Sequence, residues 1–163
     1  MEVWVTKGYR PNVGMMIINK DKKVLMCTRI HSEGQKYRLQ MPQGGIDKGE
    51  IPSVAVYREM REEIGLLPED VSFIACTKQW YKYDLPETSR KKKTIRGQRQ
   101  KWYLFLLTAS EDKIDFMTDK CQEFIDYQWV DLDKVVTSVI TFKQPVYEQV
   151  VAEFRPFIEE LKI

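Results

Sequence analysis

The chain has 163 residues, of which 43% are hydrophobic and 31% charged, and this balance predicts one globular domain with a buried core. No run of about 18 apolar residues occurs and the first residues lack a secretory apolar segment, so neither a membrane-spanning nor a secreted protein is expected. The net charge is only +2, but the segment Arg90–Lys101, called here the basic segment, has seven basic residues and no acidic one.

Histidine and cysteine usage limits the possible chemistry. His31 is the single histidine, so a zinc site or a histidine-dependent catalytic triad has few residues to build on. Cys27, Cys76 and Cys121 are odd in number and form no C-x-x-C pair, which predicts reduced thiols in a cytoplasmic protein.

The first third of the chain predicts a β-hairpin followed by a tight turn. Val13–Asn19 and Lys23–Arg29 are rich in β-forming residues and are joined by Lys-Asp-Lys. The polar segment Ile30–Arg38 predicts a loop. Leu39–Gln43 is expected to be extended, because a proline within it disfavours helix before it, and Gly44–Gly45 then permits the turn.

A helix is predicted from Pro52 to Ile64. Proline suits the first helical turn, and Gly65 is a typical C-terminal stop. Residues four positions apart form its apolar stripe, namely Val56, Met60 and Ile64. A second face carries Ala55 and three glutamates.

The remainder of the chain predicts three strands and a helix. Val71–Leu85 and Gln100–Thr108 are strand-like and flank the basic segment, and Phe124–Val130 is another short strand. Pro145–Leu161 predicts a helix bent near its internal proline. Strands with interspersed helices predict an α/β fold with helices layered on a sheet.

The glutamates of the predicted helix are crowded. Glu59, Glu62 and Glu63 share one turn, where two carboxylates about 5 Å apart repel by roughly 3 kcal/mol at an effective dielectric near 20. Arg58 and Arg61 are expected to point elsewhere, although Arg58 has the reach to brace the preceding loop. A bound Mg²⁺ or Mn²⁺ would relieve the repulsion. The glutamates alone nevertheless favour the alternative of a solvated helix face.

The complete spacing from Gly44 to Leu66 resembles the signature of the Nudix hydrolases, position for position. Gly44 is followed by Glu50, then by Arg58-Glu59, Glu62-Glu63 and Gly65. Five further segments resemble the bacterial RNA pyrophosphohydrolases, which are similar to the asymmetric diadenosine tetraphosphate hydrolases: Gly8–Gly14, Pro42–Ile46, Gly97–Leu104, Glu123–Val130 and Phe142–Tyr147.

This resemblance implies the fold and its extent. A single Nudix domain is expected over residues 1–163, with a core of about 8–154 and the signature at 44–66. The implied fold is an α/β/α sandwich with a mixed central sheet, in which the signature forms a loop–helix–loop.

The resemblance also implies roles for individual residues. Two or more Mg²⁺ or Mn²⁺ ions are expected on Glu59, Glu62 and Glu63, with the Gly44 carbonyl as an additional ligand. Glu123 resembles a further ligand or water-positioning residue, its alternative being a surface glutamate. Either Glu62 or Glu123 is the expected base.

Substrate contacts follow from the same resemblance. Arg10 resembles a phosphate-binding arginine, and its alternative is a surface arginine. Arg29 and Phe142-Lys143 match positions that hold a nucleobase, although Phe142 equally suits the core. The expected polar neighbours of phosphate are Gln43, Gln98 and Lys101. The sequence departs from the family at Leu39, where tryptophan is usual, and in the loops Ile30–Arg38 and Pro86–Ile95.

The implied activity is hydrolysis of 5′-triphosphate or 5′-diphosphate RNA ends to 5′-monophosphate, which promotes mRNA decay. A diadenosine tetraphosphate hydrolase giving ATP and AMP is the alternative. A non-catalytic RNA-binding module would be expected to lose the glutamates, and a hydrolase of damaged mononucleotides lacks the flanking motifs. RNA or a dinucleoside polyphosphate is the expected partner, without membrane or DNA, and a monomer is favoured. The run Arg90–Lys93 is expected to contact trailing RNA phosphates, its alternative being a solvated loop.

Overall fold

The computed structural model describes residues 5–30, 39–118 and 121–163. Within these ranges the chain forms eight strands and three α-helices. The strands are β1 Tyr9–Ile18, β2 Val24–Arg29, β3 Leu39–Gln40, β4 Gln43–Gly45, β5 Val71–Cys76, β6 Tyr81–Asp84, β7 Gly97–Leu107 and β8 Phe124–Val130. The helices are α1 Pro52–Ile64, α2 Val135–Ser138 and α3 Gln144–Glu160. No helix in these ranges is both long and apolar enough to cross a membrane.

The strands form one mixed sheet, as the sequence predicts. Its longest pairing is parallel and joins β1 to β7 from Tyr9↔Gly97 to Ile18↔Leu106. Every other pairing is antiparallel, including the predicted hairpin of β1 and β2. The order is β3-β2-β1-β7-β5, with β4 on β1, β6 on β7 and β8 on β2.

Two cores cover the two faces of this sheet. Successive strand residues point to opposite faces, so Met15 and Ile17 of β1 pack towards α1, whereas Met16 and Ile18 pack towards α3. Helix α1 buries its predicted apolar stripe on one face. On the other face α3 buries six side chains in the core, namely Val146, Tyr147, Val150, Val151, Phe154 and Ile158. The predicted α/β/α sandwich is therefore confirmed.

Three boundaries differ from the prediction. The expected strand Val71–Leu85 is two strands, because β5 and β6 pair with different parts of β7 and are separated by residues 77–80. Strand β7 begins at Gly97 instead of Gln100, since β1 and β6 supply backbone partners to its polar start. Strand β1 begins at Tyr9, four residues before the predicted Val13, because its pairing with β7 begins there. Helix α3, with Pro156 inside it, agrees with the predicted helix within one residue at each end.

Other predictions of local structure are confirmed. Helix α1 begins at Pro52 and is followed by Gly65 in the left-handed region, with φ 73°, and its amide donates to the Arg61 carbonyl at 3.1 Å. No disulfide joins the cysteines of the described residues. The predicted loop Ile30–Arg38 lies outside the described residues except for Ile30.

Candidate active site

The glutamates of α1 lie against the turn that precedes the helix. Glu59 is 9% exposed and Glu63 is 6% exposed, whereas half of the Glu62 side chain reaches solvent. Gly44 of β4 pairs with Val13 of β1 and touches the Glu59 carboxyl group. A Cβ atom added to Gly44 would stand 2.0 Å from Cδ of Glu59, so only glycine lets the backbone approach this carboxylate.

Arg58 organises the carboxylates around it. It donates two hydrogen bonds of 2.8 Å to Glu50, from Nε and from Nη2, and Nη2 also donates to the Gly45 carbonyl at 2.7 Å. Its Nη1 donates to Glu59 at 2.9 Å and to Glu62 at 3.1 Å. The predicted brace to the preceding loop is confirmed. The expectation that Arg58 points away from the glutamates is wrong, because the long guanidinium fork reaches both the loop and its own helical turn.

This arrangement tunes the acidity of the carboxyl groups. The hydrogen bonds from Arg58 lower the pKa of Glu50. Burial raises the pKa of Glu59, and the neighbouring Glu62 adds to the increase, while hydrogen bonds from Arg58 and with Glu63 oppose it. The ionised form of Glu59 is therefore disfavoured, and a bound cation would stabilise it.

The donor set fits a hard divalent cation. Carboxylate oxygens of Glu59, Glu62 and Glu63 are the ligand type that Mg²⁺ and Mn²⁺ prefer, and the backbone at Gly44 lies directly against Glu59. In the described ranges no three His, Cys, Asp or Glu side chains already converge as a metal-binding group, since Arg58 holds Glu62. Ligation by these residues stays a prediction.

Glu123 lies at the start of β8, beside Arg29. Its side chain is exposed, and its carbonyl accepts a hydrogen bond from the Ile30 amide at 2.8 Å. Glu123 and Arg29 line one pocket of about 270 Å³ together with Cys121 and Gln122. The structure thus places Glu123 next to Arg29. The metal-binding or water-positioning role of Glu123 and the base-binding role of Arg29 stay predictions.

A buried polar network adjoins Gly44. Gln43 Nε2 donates to the Tyr83 hydroxyl at 3.1 Å and to Gln98 Oε1 at 3.0 Å, and the Tyr83 hydroxyl donates to Gln98 Oε1 at 2.8 Å. Burial raises the pKa of Tyr83 to about 12, so its hydroxyl stays protonated at neutral pH. Gln43 Oε1 is buried without a hydrogen-bond partner among the described residues. The hydrogen-bonding role of Tyr83 was not predicted from the sequence, because the alternation of side chains in β6 indicates only that Tyr83 faces the core.

Phe142 and Lys143 lie beside the Tyr83 ring. The Phe142 ring centroid is 5.8 Å from that of Tyr83, and Phe142 is half-buried against the core on the α3 side. Lys143 is 5% exposed, and its Nζ donates to Gln40 Oε1 at 3.0 Å. Burial, and secondly the positive charge of Arg29, lower the pKa of Lys143 to about 7, although Glu123 and Glu63 act in the opposite direction.

The Lys143 environment predicts a pH dependence of stability. The unfolded chain binds this proton up to about pH 10.4 but the folded protein only to about pH 7, so folding stability rises with pH above 7 by up to about 1.4 kcal/mol per unit. Lys143→Met removes this contribution. Urea unfolding at pH 6.5, 7.5 and 8.5 should show that the unfolding free energy of the wild type rises relative to that of the variant as the pH increases. A difference independent of pH would contradict the assignment.

Arg10 and Lys101 lie on opposite faces of the sheet. Arg10 of β1 pairs with Gln98 of β7 on the α3 side, and its Nε is buried without a hydrogen-bond partner among the described residues. Arg10 and Gln98 line a pocket of about 300 Å³ with Leu85, Ile95 and residues 89–92. Lys101 pairs with Val13 on the α1 side, the face that carries Gly44 and Glu59, and its Nζ donates to the Lys78 carbonyl at 3.2 Å. The structure thus brings Gln43, Gln98 and Arg10 together but separates Lys101 from them.

Comparison with known proteins agrees with this geometry. The NUDIX domain family matches residues 8–154. An RNA pyrophosphohydrolase of Francisella tularensis subsp. mediasiatica is 40% identical over 153 residues, covering 93% of this chain and 96% of that protein. Another, from Aeromonas hydrophila, is 44% identical over 158 residues, covering 91% of this chain and 85% of that protein.

Solved structures share the fold at low sequence identity. The E. coli dihydroneopterin triphosphate pyrophosphohydrolase matches with a TM-score of 0.68 at 19% identity, covering 90% of this chain and 99% of that chain. A C. elegans Ap4A hydrolase in a binary complex matches with a TM-score of 0.65 at 16% identity, covering 92% and 99%. With a family match over most of its length and relatives at 40–44% identity, the chain belongs to the NUDIX family.

Proposed function

We propose that this protein is a metal-dependent RNA pyrophosphohydrolase of the cytoplasm, which converts 5′-triphosphate or 5′-diphosphate RNA ends to 5′-monophosphate and so promotes mRNA decay. The observation that carries the proposal is the complete glutamate set of α1 held against Gly44, in a chain 40–44% identical to relatives named RNA pyrophosphohydrolase. A non-catalytic RNA-binding module would be expected to lack these glutamates.

Glu59, Glu62, Glu63 and Glu123, with the Gly44 carbonyl, would hold two or more Mg²⁺ or Mn²⁺ ions. Bound there, such ions neutralise phosphate oxygens and lower the pKa of a water molecule. Glu62 or Glu123 accepts the proton of the attacking water, and both are accessible because their side chains are exposed. Water oxygen bonds to a phosphorus atom of the 5′ chain while the phosphoanhydride bond breaks, so that pyrophosphate, or phosphate in two steps, leaves.

The remaining predicted residues position the substrate. Arg10 and Gln98 donate to phosphate oxygens from the α3 side, where Gln43 is a polar neighbour that holds Gln98 through a hydrogen bond, and Lys101 donates from the glutamate side. Arg29 and the Phe142 ring hold a nucleobase, with Lys143 beside them.

Side-by-side product analysis tests the proposal. Triphosphorylated RNA should yield 5′-monophosphate RNA with pyrophosphate or phosphate, and it should be cleaved with a higher kcat/KM than diadenosine tetraphosphate. Faster conversion of diadenosine tetraphosphate to ATP and AMP would instead favour the dinucleoside polyphosphate hydrolase, for which a likeness in fold to an Ap4A hydrolase speaks. No turnover of either substrate would leave an RNA-binding module.

Arg10→Ala is expected to weaken hydrolysis of both substrates by about tenfold or more in kcat/KM, because the proposed contact is with phosphate, which both share. Steady-state kinetics with each substrate measures this. Arg155→Ala on α3, which removes an exposed arginine paired with Asp133, is the matched control and should change neither rate. An effect confined to one substrate would make Arg10 a base or sugar contact.

A further inference from the structure

The loop between β6 and β7, Leu85–Arg96, lines a pocket at the start of β1. The loop is held at its base by the Leu85 amide, which donates to the Arg96 carbonyl at 2.8 Å, and by the Arg96 amide, which donates to the Gly8 carbonyl at 2.8 Å. Within it Arg90 Nε donates to the Leu85 carbonyl at 3.1 Å. These bonds hold the basic residues of the loop close to Arg10, which lies far earlier in the chain. The folded structure therefore forms the pocket.

The pocket concentrates positive charge. Arg10, Arg90, Lys91 and Lys92 line it, and no acidic residue is among the lining residues in the described part of the chain. The nearby Asp84 is already engaged, because it accepts hydrogen bonds from the Tyr9 hydroxyl and, at 3.0 Å, from Arg96. Converging cations repel one another, and the buried Nε of Arg10 has no hydrogen-bond partner among the described residues. An anion in the pocket would relieve both costs.

The size and the position of the pocket indicate which anion. Its volume of about 300 Å³ lies at the lower end of the range for small-molecule sites, so it accommodates one nucleotide unit at most. Gln98, which also lines it, is hydrogen-bonded to Gln43, and Gln43 precedes the glycine that touches Glu59. Hydrogen-bonded polar groups therefore connect the pocket, on the α3 side of the sheet, to the backbone at Gly44, which contacts Glu59 on the other side.

We infer that the lysine side of this pocket, Lys91 and Lys92, binds an internal phosphodiester phosphate of an RNA substrate, downstream of the reacting 5′ end, while Arg10 contacts the 5′ phosphate chain. The inference rests on the proposed function. A dinucleoside polyphosphate has no internal phosphodiester, so the pocket selects RNA over that substrate. Only part of the basic run takes part: Lys91 and Lys92 line the pocket, whereas the adjacent Lys93 is exposed outside it.

Neighbouring lysines of the same loop test this. The probe is a fluorescent 5′-hydroxyl hexaribonucleotide, which carries internal phosphates and no reacting group, and anisotropy measures its binding at several salt concentrations. Lys91→Ala/Lys92→Ala is expected to raise Kd roughly tenfold at low salt. It should also flatten the log–log salt slope by about 0.7, the value for one lost phosphate contact. Lys92→Ala should have about half the effect on the slope, and the matched control Lys93→Ala should change Kd less than about twofold.

Binding and kinetic measurements together distinguish failure of the pocket assignment from failure of the proposed function. For triphosphorylated RNA the double variant should raise KM and leave kcat unchanged, and its kinetics with diadenosine tetraphosphate should match those of wild type. Equal effects of Lys92→Ala and Lys93→Ala would show attraction by net charge alone and overturn the pocket, as would equal losses with both substrates. If the wild type hydrolysed no RNA, the proposed function would be wrong. Binding of the hexaribonucleotide would still show whether the pocket binds an internal RNA phosphate.

Discussion

Glu63→Gln is expected to lower turnover by about two orders of magnitude or more at saturating Mg²⁺, with little loss of stability. Glu63 is 6% exposed and lies beside Glu59, so an amide in its place withdraws one negative charge from the proposed metal site without opening a cavity. Removing one of several repelling carboxylates does not weaken the fold. Glu62→Gln is expected to have the same effect on turnover.

Measurements independent of activity distinguish a metal ligand from a structural residue. Titration with Mn²⁺, followed by calorimetry, should show weaker binding or fewer ions for Glu63→Gln. Glu69→Gln is the matched control, since Glu69 is an exposed glutamate just beyond α1. Near-normal turnover of Glu63→Gln at millimolar Mg²⁺, or unchanged Mn²⁺ binding, would remove Glu63 from the metal site.

Local signals in the sequence predict the elements that carry the glutamates. The bounds of α1 follow from Pro52, the four-residue apolar spacing and Gly65, all of which act within the helix itself. The start of β7 could not be predicted in this way, because Gly97–Lys101 is polar and becomes a strand only through its pairing with β1 and β6. Tertiary pairing overrides local preference there.

The site was predictable as a set of residues but not as an arrangement. The resemblance named Gly44 and Glu59 together, yet their contact depends on how β4 meets α1. Tyr83 bonds to Gln43, forty positions earlier, and hydroxyl partners at such a separation leave no periodic signal. The pocket joins Arg10 of β1 to Lys91 and Lys92 of the loop before the neighbouring strand β7, which charge patterning alone does not indicate.

Arg58→Ala is expected to destabilise the protein by about 3 kcal/mol and to lower turnover about tenfold to a hundredfold. The change leaves Glu50 and Glu59, whose side chains are 13% and 12% exposed, without their shared cation, and it removes a donor to the Gly45 carbonyl. For a chain of this size, that loss corresponds to a decrease of roughly 6 to 12 °C in Tm. Turnover decreases because the turn at Gly44–Gly45 and the Glu59 carboxylate are no longer held together.

Two variants and a change of pH test whether the hydrogen-bonding fork of Arg58 is responsible. Arg58→Lys keeps the charge but loses the paired donors to Glu50, so it should restore only part of the stability. Arg61→Ala, on the exposed side of the same helix, should change stability by less than about 0.5 kcal/mol. Unfolding of Arg58→Ala and Arg61→Ala at the same urea concentration would contradict the brace.

Acid should reduce the contribution of Arg58. Because Arg58 lowers the pKa of Glu50, the stability from this pair is fully present above the ordinary glutamate pKa of about 4.3 and is lost as pH falls through the lower value of the folded state. The difference in unfolding free energy between wild type and Arg58→Ala should therefore be constant from pH 8 to pH 6 and shrink below about pH 4. A difference that stayed constant down to pH 3 would mean that Glu50 carries no charge for Arg58 to stabilise in the folded protein, and the ion pair would then contribute nothing to holding the glutamate helix against its loop.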